Sequence, residues 1–311
     1  MIKSPSIYKS FKKQWILHVM LVPALVCLFL FQYMPMVGLQ IAFKDYMFNK
    51  GIWGSPFVGL KHFKAFLVDP NIINVLKNTF GISLMKVFFM FPAPIVLALL
   101  LNEIRSVIFK RVTQTISYFP YFISWVMVAL MAQQWFSATS GFINNALVSL
   151  GIFKEPYLFL GEAKAFWFIA LFLDMWKNMG WGSIIYLAAI SGIDPSLYEA
   201  AEVDGAKKMQ KIIHITLPSI ASTVIIMFIL NIGNMLSGGS FGSNFQQSYL
   251  LGNPLNIARS EILDTYILKI GFSLGRYSFA SAVGLLQSMV SFVLLLSTNM
   301  LSKRITGESF F

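Results

Sequence analysis

Six long apolar stretches constrain the fold of this chain more than any other feature of its sequence. A helix that crosses about 30 Å of hydrocarbon at about 1.5 Å per residue needs roughly 20 mainly apolar residues. Of the 311 residues, 57% are hydrophobic and 12% are charged, and a water-soluble globule could not bury that much apolar surface. We therefore predict an all-α integral membrane protein with about six transmembrane helices. The predicted spans are Trp15–Phe43, Phe80–Leu101, Val112–Phe136, Ala165–Ile190, Ile220–Leu236 and Tyr277–Leu301.

The excess of basic residues indicates contact with lipid rather than with nucleic acid. Lys and Arg number 24 against 13 Asp and Glu, which gives a formal net charge of +11. The basic residues occur in short clusters between the apolar stretches, where they suit anionic headgroups and orient the spans. If the N-terminus is inside, the inner segments are the shorter ones and their basic residues are denser. We predict that both termini are cytoplasmic.

The first residues of the chain form a separate amphipathic segment. Ile7, Tyr8, Phe11 and Trp15 recur at three-to-four spacing with lysines between them, which is typical of a helix lying in the membrane interface. A disordered basic tail is the alternative. The predicted organisation is an N-terminal cytoplasmic segment at 1–14, a six-span transmembrane domain at 15–301 that includes a loop at 194–218, and a cytoplasmic tail at 302–311.

The loop between the fourth and fifth spans has the sequence signals of two short helices. Asp194 is a good N-cap and Pro195 fits the first helical position. Gly205 has the conformational freedom to end this helix in the left-handed region. A second helix then runs toward Leu217, and Pro218 is expected to break the chain at the membrane face. A capped helix pair too short to be a domain favours docking into a groove of a partner protein.

This loop resembles the "EAA" loop of binding-protein-dependent ABC importer permeases. The matching residues are Glu199-Ala200-Ala201, Asp204-Gly205-Ala206 and Leu217-Pro218, at the spacing of that motif and between the expected spans. Other stretches are similar to the carbohydrate-uptake (type I importer) branch, and to a subgroup for oligosaccharides from complex polysaccharides. They are 40–46, 51–56, 58–63, 91–94, 99–103, 184–189, 252–254 and 264–266.

The resemblance implies an importer in a bacterial cell membrane that is assembled from several proteins. The implied partners are a second, related permease, two cytoplasmic ATPase subunits, an extracellular solute-binding lipoprotein and an oligosaccharide substrate. In this family the loop forms the coupling helix, so Glu199 would bond to the ATPase or to the backbone of the second helix, while Gly205 supplies the turn. The implied coupling residues are Glu199, Ala200, Ala201, Asp204, Gly205, Leu217 and Pro218.

The chain lacks the sequence signatures of an enzyme. It has no G-x-x-x-x-G-K-[S/T] phosphate-binding loop and no G-x-S-x-G nucleophile motif. The histidines His18, His62 and His214 lie far apart and Cys27 is inside an apolar stretch, so we expect neither a metal site nor a disulfide. No cofactor is expected in this chain, since ATP and magnesium would be bound by the partner ATPase.

A sugar pathway calls for aromatic platforms and amide or hydroxyl partners in a mostly apolar cavity. The candidates are Gln133, Gln134 and Trp135 in span three, Asp174, Lys177 and Asn178 in span four, and Asn231, Asn234, Phe245 and Gln246 in and after span five. Hydrogen bonding between helices is the alternative role for the uncharged residues. Asp174 and Lys177 are three residues apart and can pair with each other, so a structural ion pair is the alternative to a ligand site. Lys86 is expected to extend outward from the second span.

Three alternatives remain open at this point. An ion-coupled secondary transporter would transport solute without the coupling loop, and a membrane scaffold would have no use for the polar residues of spans three to five. A permease for a different solute, such as a peptide or a polyol, is a third possibility.

The Gly/Ser-rich segment 237–248 is interpreted as a flexible loop or as irregular backbone lining a cavity.

Overall fold

The computed structural model describes residues 14–236 and 243–306, and these residues form an almost entirely helical protein. The main helices are α1 (Trp15–Phe43), α2 (Lys61–Leu67), α3 (Ile72–Asn102), α4 (Val107–Phe122), α5 (Trp125–Trp135), α6 (Phe166–Ser191), α7 (Pro195–Val203), α8 (Lys208–Ser219), α9 (Ala221–Gly233), α10 (Ser243–Leu251) and α11 (Tyr277–Thr306). Shorter helices lie at Gly51–Gly54, Phe142–Ser149, Ile257–Ser260 and Leu263–Leu268. Nearly all of the predicted interfacial segment and the last residues of the predicted tail lie outside the described residues.

The long apolar helices confirm the predicted membrane architecture. By length and composition α1, α3 and α11 can each cross a membrane, and the number of spans rises to five if each of two bent helix pairs forms one span. The fourth predicted span coincides with α6, whose 26 residues extend about 39 Å at about 1.5 Å per residue. This helix is less apolar than the others because it carries buried polar side chains, which are described below.

Two predicted spans differ from one straight helix: Val112–Phe136 falls on a bent helix pair, and Ile220–Leu236 contains only the second helix of another such pair. α4 and α5 meet at 100°, since Pro120 lies in the final turn of α4 and the chain becomes extended at Ile123. Ser124 then caps α5 by accepting a hydrogen bond from the Met127 N–H at 3.3 Å. The break expected at Pro218 is present, since α8 ends at Ser219 and a 63° bend then leads into α9.

The chain divides into two compact units. The first combines the residues up to Leu67 with Ile270–Leu285, so it contains α1, α2 and the beginning of α11. Its core includes Phe66 and Phe279, whose ring centroids are 6.2 Å apart.

The second unit contains Val68–Lys269 and the chain from Leu286 onward. Its main core surrounds the first half of α6, where Phe166, Ala170 and Leu173 are fully buried against residues of α3 and α5. A second apolar cluster joins the other end of α6 to the last turns of α3. α6 is therefore the central helix of this unit, and its polar side chains lie in the interior.

Candidate functional site

The first helix of the loop between α6 and α9 begins and ends where the sequence predicts. The Asp194 carboxylate accepts a hydrogen bond from the Ser196 N–H at 2.9 Å, and Pro195 occupies the first helical position. This bond lowers the pKa of Asp194 because it stabilises the charged carboxylate. At the other end Gly205 has a φ of +74°, and the Ala206 N–H donates to the Ala201 carbonyl at 2.9 Å.

Side-chain bonds hold α7 and α8 together as one braced pair. The Tyr198 hydroxyl lies 2.9 Å from Thr216 Oγ1, within hydrogen-bond distance. Lys211 Nζ donates to Glu202 Oε1 at 2.6 Å, and this bond is the main reason that the pKa of the Glu202 carboxyl is lowered. Because both bonds cross from one helix to the other, the two helices can move as a unit.

This pair is also fixed to the membrane domain beyond its own chain connections. Lys208 Nζ lies 3.1 Å from Glu103 Oε2, just after the end of α3. The loop therefore contacts the end of α3 through this ion pair, in addition to its direct chain connections to α6 and α9.

The motif residues lie on the exposed surface of this helix pair. Glu199 and Ala200 are exposed, Ala201 is half-buried, and the neighbouring Val203 is 89% exposed. Within the described residues Glu199 has no hydrogen-bond partner, so the bond to the second helix considered from the sequence is not formed. Asp204, Gly205, Leu217 and Pro218 are exposed as well. A small-residue and apolar surface on a rigid helix pair is suited to docking against another protein.

A buried polar network occupies the interior of the second unit. Lys86 Nζ of α3 lies 2.6 Å from Asp174 Oδ2 of α6, and the two side chains are 2% and 0% exposed. Lys86 also donates to Gln247 Oε1 at 2.7 Å and to Ser243 Oγ at 3.0 Å. The Asp174 carboxylate accepts from Ser243 Oγ at 2.7 Å and from Asn178 Nδ2 at 2.5 Å. These five residues are called the buried polar network below.

The network overturns two expectations drawn from the sequence. Asp174 pairs with Lys86 and not with Lys177, and Lys86 points into the protein rather than outward. Because α3 and α6 pack together, both charges are removed from water, and an intramembrane charge without a partner is costly. Both charges of the network are therefore paired within the protein, and the Lys86 ammonium is not available to an acidic ligand.

Lys177 stabilises the bend between α4 and α5. Its Nζ donates to the carbonyl oxygens of Tyr121 at 2.6 Å and Ile123 at 2.5 Å. The same ammonium lies 5.3 Å from the Tyr121 ring centroid and 5.7 Å from that of Trp125. Carbonyls at a helix end have no partner within the helix, and Lys177 supplies donors to them. We interpret Lys177 as structural rather than as a ligand for substrate.

The helix α10 corrects the interpretation of segment 237–248. Residues from Ser243 onward are helical, whereas 237–242 lie outside the described part of the chain. The buried side of α10 is polar: Asn244 donates to Ser83 Oγ at 3.0 Å and Gln247 Nε2 donates to the Ala170 carbonyl at 2.9 Å. Polar bonds to α3 and α6 therefore stabilise the helix from Ser243 onward.

The other side of α10 carries two of the predicted pathway residues. Phe245 is half-buried, Gln246 is exposed, and Tyr249 is 60% exposed. The rings of Phe245 and Tyr249 stack with centroids 5.7 Å apart at an angle of 16°. The sequence analysis missed Tyr249, Ser243 and Gln247. Ser243 and Gln247 are four residues apart, as are Phe245 and Tyr249, so each pair shares one face of the helix.

The remaining candidates lie in different surroundings. α5 packs along α10, and its Trp135 lies edge-to-face on Trp176 of α6 at 5.5 Å, whereas Gln133 and Gln134 are exposed. Asn234 is exposed at the end of α9. Asn231 faces a cavity of only about 40 Å³, which it shares with residues of α3 and α6. The structure thus brings α5, α6 and α10 together and leaves the asparagines of α9 apart.

Comparisons with known proteins agree with this architecture. Residues 90–307 match the family described as "Binding-protein-dependent transport system inner membrane component". Protein LplB of Bacillus subtilis (strain 168) is 40% identical over 300 residues, which cover 96% of this chain and 92% of that protein. The polygalacturonan/rhamnogalacturonan transport system permease protein YteP of the same organism is 40% identical over 301 residues, covering 96% and 91%.

A solved structure is similar over the full length of its matching chain. It is a bacterial ABC transporter involved in the import of the acidic polysaccharide alginate, with a TM-score of 0.88 and 36% identity over 97% of this chain and 100% of that one. The alginate transporter in complex with an alginate pentasaccharide-bound periplasmic protein matches with the same TM-score and identity, over 98% and 100%.

Proposed function

This chain belongs to the family of binding-protein-dependent transport system inner membrane components, and from that premise we propose that it is the permease subunit of an ATP-driven importer for acidic oligosaccharides. The observation that carries the proposal is the agreement in fold and sequence with a chain of the alginate importer over nearly the whole length. Its relatives are sugar and oligosaccharide permeases, so a permease role in carbohydrate import follows from the family.

The proposed acidity of the substrate is supported by two kinds of relative. Alginate is an acidic polysaccharide, and a polygalacturonan is by its chemistry a polymer of uronic acid. We infer that the oligosaccharide reaches this chain from an extracellular binding protein, as in the alginate complex. A second, related permease and two ATPase subunits complete the proposed assembly.

The proposed coupling mechanism follows from the mechanics of the loop. ATP and magnesium would be held by the ATPase subunits, whose closure would displace the braced α7–α8 pair in the cytosol. Because the loop connects α6 to α9 and bonds to Glu103 after α3, its displacement would move several membrane helices together. Such rigid-body motion is how a site is exposed alternately to the two sides of a membrane. Both termini are placed in the cytosol in this proposal.

ATPase activity of the reconstituted importer tests the substrate class. The complex of this chain with its partner permease, ATPase and binding protein, obtained from the neighbouring genes, would be supplied with uronate-containing or neutral oligosaccharides of equal length. We expect stimulation by the uronate series. Stimulation by the neutral series alone would contradict the acidic assignment, and stimulation by neither would contradict the carbohydrate assignment.

Two substitutions test the role of the coupling loop. Glu199→Ala removes the exposed carboxylate, and Gly205→Pro cannot adopt the φ of +74° found there. Both variants are expected to reach the membrane but to lose uptake by more than about tenfold, since ATP hydrolysis would no longer be transmitted. Glu155→Ala, which removes an exposed carboxylate outside the loop, is the matched control. Normal uptake by both loop variants would contradict the coupling assignment.

A further inference from the structure

A second polar cluster lies in the first unit and has no part in the function described above. It surrounds a cavity of about 320 Å³ where the chain leaving α1 meets the start of α11. The Tyr46 N–H donates to Ser278 Oγ at 2.9 Å and fixes these two segments to each other. The lining residues that matter here are Asp45, Tyr46, His62, Arg276, Tyr277 and Phe279. This space is called the Arg276 cavity below.

The backbone places Arg276 at the N-terminus of a long helix. Gly275 turns the chain with a φ of +65°, after which the Arg276 N–H donates to the Ile270 carbonyl at 3.1 Å. The Arg276 carbonyl accepts from the Ala280 N–H at 3.0 Å, so Arg276 is the residue that precedes the 30-residue helix α11. The positive end of that helix dipole lies beside the cavity and favours an anion there.

The Arg276 guanidinium is oriented but has no polar partner. Its Cζ lies 4.4 Å from the ring centroid of Phe279, a side chain that is only 2% exposed. A cation–π contact of this kind holds the guanidinium over the ring face without using its N–H donors. Among the described residues the guanidinium makes no hydrogen bond or ion pair. It is therefore available for a two-point bond to a carboxylate.

The other charges of the cavity do not compensate Arg276. Asp45 is the carboxylate among the described lining residues, and its Oδ2 accepts a hydrogen bond from Lys61 Nζ at 2.7 Å. Its Oδ1 lies 2.9 Å from His62 Nε2, close enough for an ion pair when the imidazole is protonated. The bond from Lys61 lowers the pKa of Asp45, so this carboxylate is ionised and already neutralised. With Lys61 counted beside Asp45 and Arg276, these charged side chains sum to +1.

Two tyrosines give the cavity an aromatic wall. The rings of Tyr46 and Tyr277 are 5.9 Å apart and nearly perpendicular, at 87°. Neither phenol hydroxyl has a partner within the described residues, so both can bond to sugar hydroxyls while the rings pack on the apolar face of a pyranose. A volume of about 320 Å³ is at the small end of the range for ligand sites, roughly 300–1,000 Å³, and suits one sugar ring.

We propose that the Arg276 cavity binds one uronosyl unit of the incoming oligosaccharide, with the sugar carboxylate on the Arg276 guanidinium and the ring against Tyr46 and Tyr277. This inference rests on the proposed function, and in the proposed orientation the cavity faces the outside. An acidic side chain of the binding protein could also bond to an exposed arginine. A concave space of one-ring size with an aromatic wall favours the sugar, because a protein surface would contact the rim and leave the interior unfilled.

Direct titration of the permease pair with trigalacturonate, without binding protein, tests the site. Arg276→Gln is expected to weaken binding about tenfold, as the loss of a bond between two charged groups predicts. The affinity of Arg276→Lys is expected to lie between those of Arg276→Gln and the unmodified pair. Lys64→Gln removes an exposed cation from α2, outside the cavity, and is the matched control with unchanged binding. The same variants would be assayed in the complete importer for ATPase stimulation by binding protein, with or without bound trigalacturonate.

Each outcome bears on the proposal. Equal binding by Arg276→Gln and the unmodified pair, or no binding by the unmodified pair, would overturn it. An Arg276 variant could instead raise only the concentration of binding protein needed for half-maximal stimulation, by the same factor with and without sugar. That result would assign Arg276 to protein docking and would also overturn the proposal. Direct binding that depends on Arg276, in an importer that no sugar-loaded binding protein stimulates, would support the site while contradicting the proposed function.

Discussion

The buried polar network and the Arg276 cavity use cationic side chains in opposite ways. In the network Lys86 is almost fully buried and bonds to Asp174, Ser243 and Gln247. In the cavity Arg276 is exposed, lies over the Phe279 ring and makes no hydrogen bond or ion pair from its guanidinium to any described residue. An unpaired charge in the membrane interior is costly, whereas water solvates one at the surface. The interior charges are thus satisfied by other side chains of the protein, whereas Arg276 makes no polar bond among the described residues and carries the recognition role proposed above.

The largest expected effect is that of Asp174→Ala, which leaves the Lys86 ammonium buried without a counter-charge. Breaking a buried ion pair by removing one partner costs about 3–5 kcal/mol. We expect this variant to yield little folded protein and to unfold at a much lower temperature in detergent. Fluorescence-detected gel filtration after heating measures both quantities.

A double variant makes the comparison specific to charge. Lys86→Gln with Asp174→Asn keeps the approximate size and the hydrogen-bonding capacity of both side chains and removes both charges. It is expected to recover most of the stability lost by Asp174→Ala, because no charge is left unpaired. If Asp174→Ala were as stable as the unmodified protein, the structural role of the network would be wrong.

Lys177→Met is expected to have the second-largest effect. It removes the donors to the Tyr121 and Ile123 carbonyls at the bend between α4 and α5. Unsatisfied buried carbonyls cost about 1–3 kcal/mol, and we expect a loss of that size in the free energy of unfolding. Thermal unfolding of the purified protein checks it, with Lys177→Arg as the variant that retains charge and donors. An unchanged unfolding temperature for the Met variant would contradict a structural role.

Arg276→Gln is expected to change stability by less than about 1 kcal/mol, the value of an exposed cation–π contact. The contrast with Asp174→Ala is the sharpest test of the comparison. Loss of the Asp174 charge should lower the stability of the protein, whereas loss of the Arg276 charge should weaken sugar binding and leave stability nearly unchanged. Thermal unfolding of both variants under one condition provides the measurement. A large stability loss for Arg276→Gln would remove the distinction.

The smallest expected effect concerns the ion pair between Asp45 and Lys61. The hydrogen bond from Lys61 lowers the pKa of Asp45 below its ordinary value of 3.8, so its contribution is complete above that value and is lost as the pH falls through the lowered pKa. This exposed pair contributes less than about 1 kcal/mol. Asp45→Asn should therefore be slightly less stable than the unmodified protein at pH 7 and pH 5, and this difference should shrink as the pH falls below 3.8 and through the lowered pKa. A difference that is constant across these pH values would contradict the assignment.

The coupling loop is the part of the molecule that the sequence predicts best. An N-cap aspartate, a proline at the first helical position and a glycine at the end are local signals, and the structure forms the helix between them. Side-chain roles in coupling stay predictions, because they concern surfaces that face a partner. The bend expected at Pro218 occurs within one residue of it, after Ser219, because proline is poorly tolerated in the interior of a helix.

The pairing of buried charges could not be predicted in the same way. Asp174 and Lys177 satisfy the spacing rule for a pair on one helix, yet the structure pairs Asp174 with Lys86, 88 positions earlier in the chain. The choice depends on which helix packs against α6 and at what height. The same holds for the helix α10, whose regular form depends on polar bonds to α3 and α6.

The apolar spans and the helices of the 194–218 loop could be predicted from the sequence, because length, apolarity and capping act within a few neighbouring residues. The packing of the helices sets which interior charges pair and leaves Arg276 without a polar bond among the described residues. Those outcomes depend on distances between residues far apart in the chain, and the free energy of a charge is set by what the packed helices place around it.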